Sequence, residues 1–140
     1  MRLFLLTTAV VIATLSTAAF AEDPAKMVYE LRIYTTIPGR LDALNARFRD
    51  HTVAIFKKHG MTNVAYFTPI EEKDGKSTKL IYFLAFPSRE AHDKSFAEFR
   101  ADPEWVKVKA EYEKNGSLTI APPDGVVDIL LTPTDYSPLR

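Results

Sequence analysis

The sequence predicts an α+β domain in which a four-stranded antiparallel sheet carries helices on one face, with the element order βαββαβ. Three observations lead there. Four short runs at 27–36, 62–68, 79–86 and 126–132 are rich in branched and aromatic residues and read as strands. Two longer stretches, at 41–58 and 89–113, repeat apolar residues at steps of three and four and read as helices. Proline or glycine punctuates the junctions.

In the first strand Tyr29, Leu31 and Ile33 fall on one side, and Glu30, Arg32 and Tyr34 on the other. Pro38 and Gly39 end it. Leu41, Leu44, Phe48, Thr52 and Ile55 then mark the buried stripe of a helix, which closes at Gly60 with Lys57, Lys58 and His59 in the last turn, where cations suit the dipole. The runs at 62–68 and 79–86 flank a polar stretch containing Asp74 and Gly75, and so form a hairpin with a long loop. Ser88 is placed as the cap of the next helix, whose buried side carries Phe96 and Phe99. Asp102 and Pro103 restart it as cap and first-turn proline, and Trp105, Val108 and Tyr112 share one face. Asn115 and Gly116 end that helix, 122–125 turns, 126–132 is the last strand, and a proline-containing tail follows. The order is that of a ferredoxin-like arrangement.

Residues 1–21 have the zones of a cleavable secretory signal: Arg2, an apolar or small stretch at 3–20, and Ala19-Phe20-Ala21 as an A-x-A site. The interrupting threonines and serine argue against a membrane span. A periplasmic or secreted product is expected, with 22–140 as one domain and no membrane attachment once the leader is removed. The formal net charge of zero, with acids and bases interspersed, excludes the concentrated basic surface that a nucleic-acid partner needs. There is no cysteine, so an exported domain of this size must rely on packing and, by expectation, on oligomerisation. Val64, Ala65, Tyr66 and Phe67, and likewise 81–86, are apolar on both faces, whereas two helices cover only one. A homodimer closed face to face answers both points.

Tyr29 to Tyr34 leading into Pro38-Gly39, the Phe48-Arg49-Asp50-His51-Thr52 segment, Lys58-His59-Gly60-Met61, and Leu84-Ala85-Phe86 followed by 99–105 (FRADPEW) together resemble the NIPSNAP family, over 27–138. The resemblance implies a dimeric α/β barrel, in which two ferredoxin-like subunits close around a shared interior. It implies less about activity: the wider superfamily includes cofactor-free monooxygenases, haem enzymes and plain ligand binders. Fold does not choose among these.

If Tyr29, Leu31 and Ile33 pack under the helices, then Glu30, Arg32 and Tyr34 point into the dimer interior. There they could hold a carbonyl-bearing or anionic molecule, or Arg32 could merely pair with Glu30 or a partner-chain acid, since buried charges must be paired. Tyr66 and Tyr82 could line the interior or fill it. His51, near the buried stripe of the first helix, is the candidate general base; the competing reading is a hydrogen-bonded core-edge histidine. His59 reads as structural, and His92 shows no partner. Asp102-Pro103-Glu104-Trp105 is accounted for by folding. Three histidines without metal spacing, and no G-x-S-x-G, P-loop or G-x-G-x-x-G, give no zinc, hydrolase or nucleotide signature, and no cofactor is expected. The leading expectation is a homodimer binding a small apolar or aromatic molecule in the barrel interior. The alternatives are a cofactor-independent monooxygenase or isomerase, and a non-catalytic interaction module.

Overall fold

The computed structural model describes residues 27–139, so the leader expected over 1–21 lies outside the described residues. Strand β1 spans Val28–Thr35, β2 Thr62–Phe67, β3 Lys79–Phe86 and β4 Val126–Leu131. They form one antiparallel sheet in the order β2-β3-β1-β4, the ferredoxin-like order expected.

Helix α1 runs through three segments: Leu41–Arg47, a π-helical turn at Phe48–Thr52, and Val53–Lys58. The Thr52 hydroxyl donates to the Arg47 carbonyl at 3.2 Å, and Leu41, Leu44, Phe48, Thr52 and Ile55 are all buried, as their spacing predicts. Gly60, at φ +76°, supplies the left-handed residue that ends the helix. Helix α2 is Arg89–Ala101 and α3 is Pro103–Glu113. The Ser88 hydroxyl accepts from the Ala91 N–H at 3.1 Å, and the Asp102 carboxylate accepts from the Glu104 N–H at 2.8 Å. Both caps therefore sit where serine and aspartate were placed from sequence. Among the described residues no helix is long and apolar enough to cross a membrane.

All the helices cover one face of the sheet, and their apolar side chains meet β3 there: Leu44, Phe48, Ile55 and Phe56 from α1, Phe96 and Phe99 from α2, and Val108 from α3 against Leu80, Tyr82, Leu84 and Phe86. One expectation is reversed. Tyr34 packs edge-on to Phe48 with centroids 5.7 Å apart, and the Arg32 guanidinium lies 5.0 Å from the Phe96 ring, so Glu30, Arg32 and Tyr34 face the helices. Cross-strand register carries the rest of that face: Tyr82 stands opposite Arg32, and Tyr66 opposite Tyr82. Tyr66 and Tyr82 thus belong to the helix-side aromatic core and not to a dimer interior. The physical reason is that the helices supply partners for this polar trio, His92 for Glu30, Phe96 for Arg32 and Phe48 for Tyr34.

The opposite face carries Tyr29, Leu31 and Ile33 from β1, with Phe83 and Ile129 flanking Leu31, Ile81 and Val127 flanking Ile33, and Phe67 beside Ile81. Every one of these side chains is apolar or aromatic, and Phe67 and Ile129 are 52% and 44% exposed in the single chain. At one end Pro133 and Leu139 of the tail line a small hollow with Tyr29 and Phe83, while Tyr136 is exposed.

Candidate functional site

β4 is the edge strand beside β1, and a trough lies between this side of the sheet and the helices. The wider part is a cavity of about 800 Å³, within the range of small-molecule sites. Tyr34 and Val126 form its floor, Ile37, Ile120 and Pro122 one wall, and Arg47, Trp105, Lys109 and Glu113 the other. Arg47 is buried; its guanidinium lies 5.1 Å from the Trp105 ring and 5.8 Å from Phe48, and donates to Glu113 at 3.2 Å. Its Nε is buried without a partner. The arrangement is a mostly apolar slot with one guanidinium, one carboxylate and one phenol, suited to a flat organic molecule bearing an oxygen acceptor.

Two residues further along the same strand faces, where Asp128 stands opposite Arg32, lies a smaller and more polar hollow of about 380 Å³. Glu30, only 2% exposed, accepts from Arg32 at 2.8 Å. Its other oxygen is 3.4 Å from His92 Nε2, and His92 Nδ1 is 2.7 Å from Asp93. Burial raises the Glu30 carboxyl above its ordinary value, with Arg32 and His92 opposing, since desolvation disfavours the charged form. For Arg32 the balance is reversed: burial would lower it, but Tyr34, Tyr82 and Glu30 outweigh burial and hold it more firmly protonated. Burial raises the Tyr66 and Tyr82 phenols too, so both are neutral. Among the described residues no group of three or more His, Asp or Glu side chains is placed to hold a metal ion.

Of the side chains singled out from sequence, Glu30, Arg32 and Tyr34 come together along the trough, on the helix side and not in a dimer interior. Tyr82 is 0% exposed with its ring stacked on Tyr66 at 5.1 Å, so it fills the core beneath them. The Tyr66 hydroxyl donates to Asn63. His51 is not brought to these residues: it sits in the seam between α1 and α3, edge-on to Tyr112 at 5.8 Å. His59 is structural, bonded to Asp102 at 2.6 Å. The residues that sequence reasoning missed are Arg47, His92 and Trp105 in its second role as a cavity wall. Only the spacing of His92 four before Phe96 hinted that it lies on the buried side of α2.

The comparisons agree with this architecture. The NIPSNAP family model matches residues 29–138. A NIPSNAP-like domain protein from Burkholderia xenovorans is similar at a TM-score of 0.68 and 20% identity, covering 81% of this chain and 90% of that one. A NIPSNAP family protein of unknown function from Agrobacterium tumefaciens is similar at 0.67 and 23%, covering 83% and 96%. SnoaB, a cofactor-independent oxygenase from Streptomyces nogalater, is similar at 0.53 and 17%, covering 81% and 99%. At these identities the likenesses concern the fold. No curated protein matches the chain.

Proposed function

The chain belongs to the NIPSNAP family, and from that premise we propose that it is an exported homodimer that binds a small, flat organic molecule in the trough between its sheet and helices. The observation that carries the reading is the cavity of about 800 Å³ with Arg47 laid against Trp105 and Tyr34 on its floor. Arg47 and Tyr34 fix an oxygen of the ligand, while Trp105, Ile37 and Ile120 take its apolar faces. In this reading Tyr34 and Arg32 are polar groups near the ligand, on the helix side of the sheet.

Homodimerisation is supported by the apolar centre of the free sheet face, built from Leu31, Ile33, Ile81, Phe83, Val127 and Ile129. Covering a side chain such as Phe67 or Ile129 is worth roughly 1.5–3 kcal/mol, and a patch of this extent on a single chain marks an interface. Export is supported by Arg2, the apolar stretch at 3–20 and the Ala19-Phe20-Ala21 site. One observation favours a catalytic version of the same reading, a cofactor-independent enzyme: the buried Glu30 carboxylate beside the half-buried His92 imidazole at the end of the trough.

Native mass spectrometry of the exported chain, purified gently from the periplasm, reads subunit number and retained small molecules together. The expected result is a dimer with extra mass in the wild type, and a bare dimer in Arg47→Gln. A monomer would overturn the assembly. Extra mass that persists undiminished in both Arg47→Gln and Tyr34→Phe would place the ligand elsewhere.

A further inference from the structure

Three polar atoms that line the smaller hollow are buried without a hydrogen-bond partner: Arg32 Nε, Glu30 Oε2 and His92 Nε2. Buried groups of this kind are normally satisfied, and leaving one unmade is costly. Arg32 Nε can only donate, an ionised Glu30 can only accept, and His92 Nε2 can do either. A hydroxyl satisfies such a set, because its oxygen accepts from the guanidinium while its proton goes to the acid–base pair.

The contacts of His92 also fix where that proton goes. Its two nitrogens face carboxylates, Asp93 at 2.7 Å and Glu30 at 3.4 Å. A neutral imidazole carries one N–H, so one of the two contacts would set a lone pair against a carboxylate. With one more proton the Asp93 contact is a charge-assisted hydrogen bond and the Glu30 contact an ion pair at 3.4 Å, which leaves Glu30 Oε2 and His92 Nε2 open to a ligand hydroxyl. The surrounding charges do not reverse this. Arg32 and Asp128 come from the sheet, Arg100 from α2 and Arg89 sits on Asp93 at 3.0 Å, which makes three cations against the three carboxylates of Glu30, Asp93 and Asp128. Phe86 and Phe96 flank the imidazole at 4.8 and 5.0 Å and keep the hollow partly apolar.

We propose that Glu30 and His92 form an acid–base pair that takes the proton from the hydroxyl of a phenolic or enolic ligand, leaving its oxyanion on Arg32. The O–H bond of the ligand breaks, its electron pair stays on oxygen, and the proton resides on the His92–Glu30 pair. Arg32, which receives the oxyanion, lies two residues along β1 from Tyr34 on the floor of the wide cavity, roughly 6.6 Å, and Glu30 lies four residues away, roughly 13 Å, so a fused ring system lying along the trough can occupy the cavity and present its hydroxyl here. The assignment rests on the reading of the trough as a ligand site.

The test uses the exported, mature protein with 4-nitrophenol, whose phenolate is yellow and whose phenol is not. Equilibrium dialysis measures binding, and absorbance of the bound fraction measures ionisation, at a pH where the free probe is mostly neutral. The ratio of phenolate to phenol should rise at least ~tenfold on binding, the equivalent of one pKa unit. Glu30→Gln and, as a second variant, His92→Gln should bind the probe yet return that ratio to its value in solution. A probe that binds with its solution ratio unchanged, or a raised ratio that survives both substitutions, overturns the acid–base pair while leaving the ligand site standing. Absence of binding to the wild type overturns the ligand-site reading and the pair with it.

Discussion

His59 and Asp102 join the end of α1 to the start of α3: the imidazole Nε2 lies 2.6 Å from the carboxylate of Asp102, which also meets Lys58 at 2.8 Å and caps α3 through the Glu104 N–H. One buried carboxylate thus ties two helices together and orders the wall that carries Trp105.

This cluster predicts an acid-sensitive stability. Hydrogen bonds from Lys58, then His59, then the Glu104 N–H hold the Asp102 carboxyl well below its ordinary value of 3.8. A carboxyl depressed in the folded state contributes stability that is present above its unfolded value and lost as the pH falls below it. Asp102→Asn keeps a competent cap but loses the ion pair with Lys58. Urea unfolding should therefore find the variant less stable than wild type at neutral pH, with the gap closing as the pH drops below about 3.8. A gap that is the same at pH 7 and at the acid end would refute the linkage.

The apolar free face predicts the second outcome. Ile129 stands beside Leu31 on the edge strand of that face and is 44% exposed in one chain. In a face-to-face dimer Ile129→Lys buries two unpaired ammonium groups, one from each copy, at a cost of several kcal/mol per ion. Sedimentation should show a monomer, with circular dichroism of the helices retained. An Ile129→Lys chain that still sediments as a dimer assembles through another surface.

The aromatic core predicts a contrast between two substitutions. The Tyr82 hydroxyl is buried without a partner, and Tyr82→Phe removes it while keeping the stack on Tyr66. Stability should be unchanged or higher, since deleting an unpaired buried polar group is close to neutral or favourable. Phe56, 1% exposed and in contact with Phe48, Tyr82 and Phe99, fills space instead. Phe56→Ala should cost about 3–5 kcal/mol in a urea titration. A loss of comparable size in Tyr82→Phe would mean that its hydroxyl is bonded after all.

Sequence patterning resolved the elements of this fold better than their orientation. The steps of three and four through Leu44, Phe48 and Ile55 identify one buried helical stripe, and Ser88 and Asp102 carry unambiguous cap chemistry. Alternation in β1 is a weaker statement: it says that Glu30, Arg32 and Tyr34 share a face, and is silent on which face the helices take. Apolar Tyr29, Leu31 and Ile33 looked like the core side, yet both faces of this sheet require cover. The decision fell to partners distant in sequence: His92 and Phe96 from α2, and Phe48 from α1, all on the side of the charged trio. The same limit hid Arg47 and His92, whose roles come from long-range contacts with Trp105 and Glu30. His51 was visible by residue type but faces Tyr112, because a position near the edge of a helical stripe is as able to face a neighbouring helix as the sheet.

Gly125 carries the last prediction, because the wall of the wide cavity depends on it. The segment from Leu118 to Pro122 is held to β1 and its extension by hydrogen bonds from the Ile120 N–H to Thr35 at 3.0 Å and from the Ile37 N–H to Leu118 at 3.1 Å. Gly125 closes the turn behind it, donating to the Ala121 carbonyl at 3.2 Å while its own carbonyl accepts from Thr35 at 3.0 Å. A methyl group added at Gly125 would strike the Ile120 carbonyl oxygen and come within 2.9 Å of the Ile120 carbonyl carbon. Backbone cannot swing aside as a side chain does, so Gly125→Ala must displace the segment that presents Ile120 and Pro122 to the ligand. Overpacking of this kind costs typically about 1–3 kcal/mol, which a urea titration reads directly. Trp105 is the chain's single tryptophan and faces that wall, so its emission should shift in the folded variant, and small-molecule retention should fall with it. A Gly125→Ala protein with wild-type stability, emission and retained mass would show that this wall tolerates displacement and does not shape the cavity.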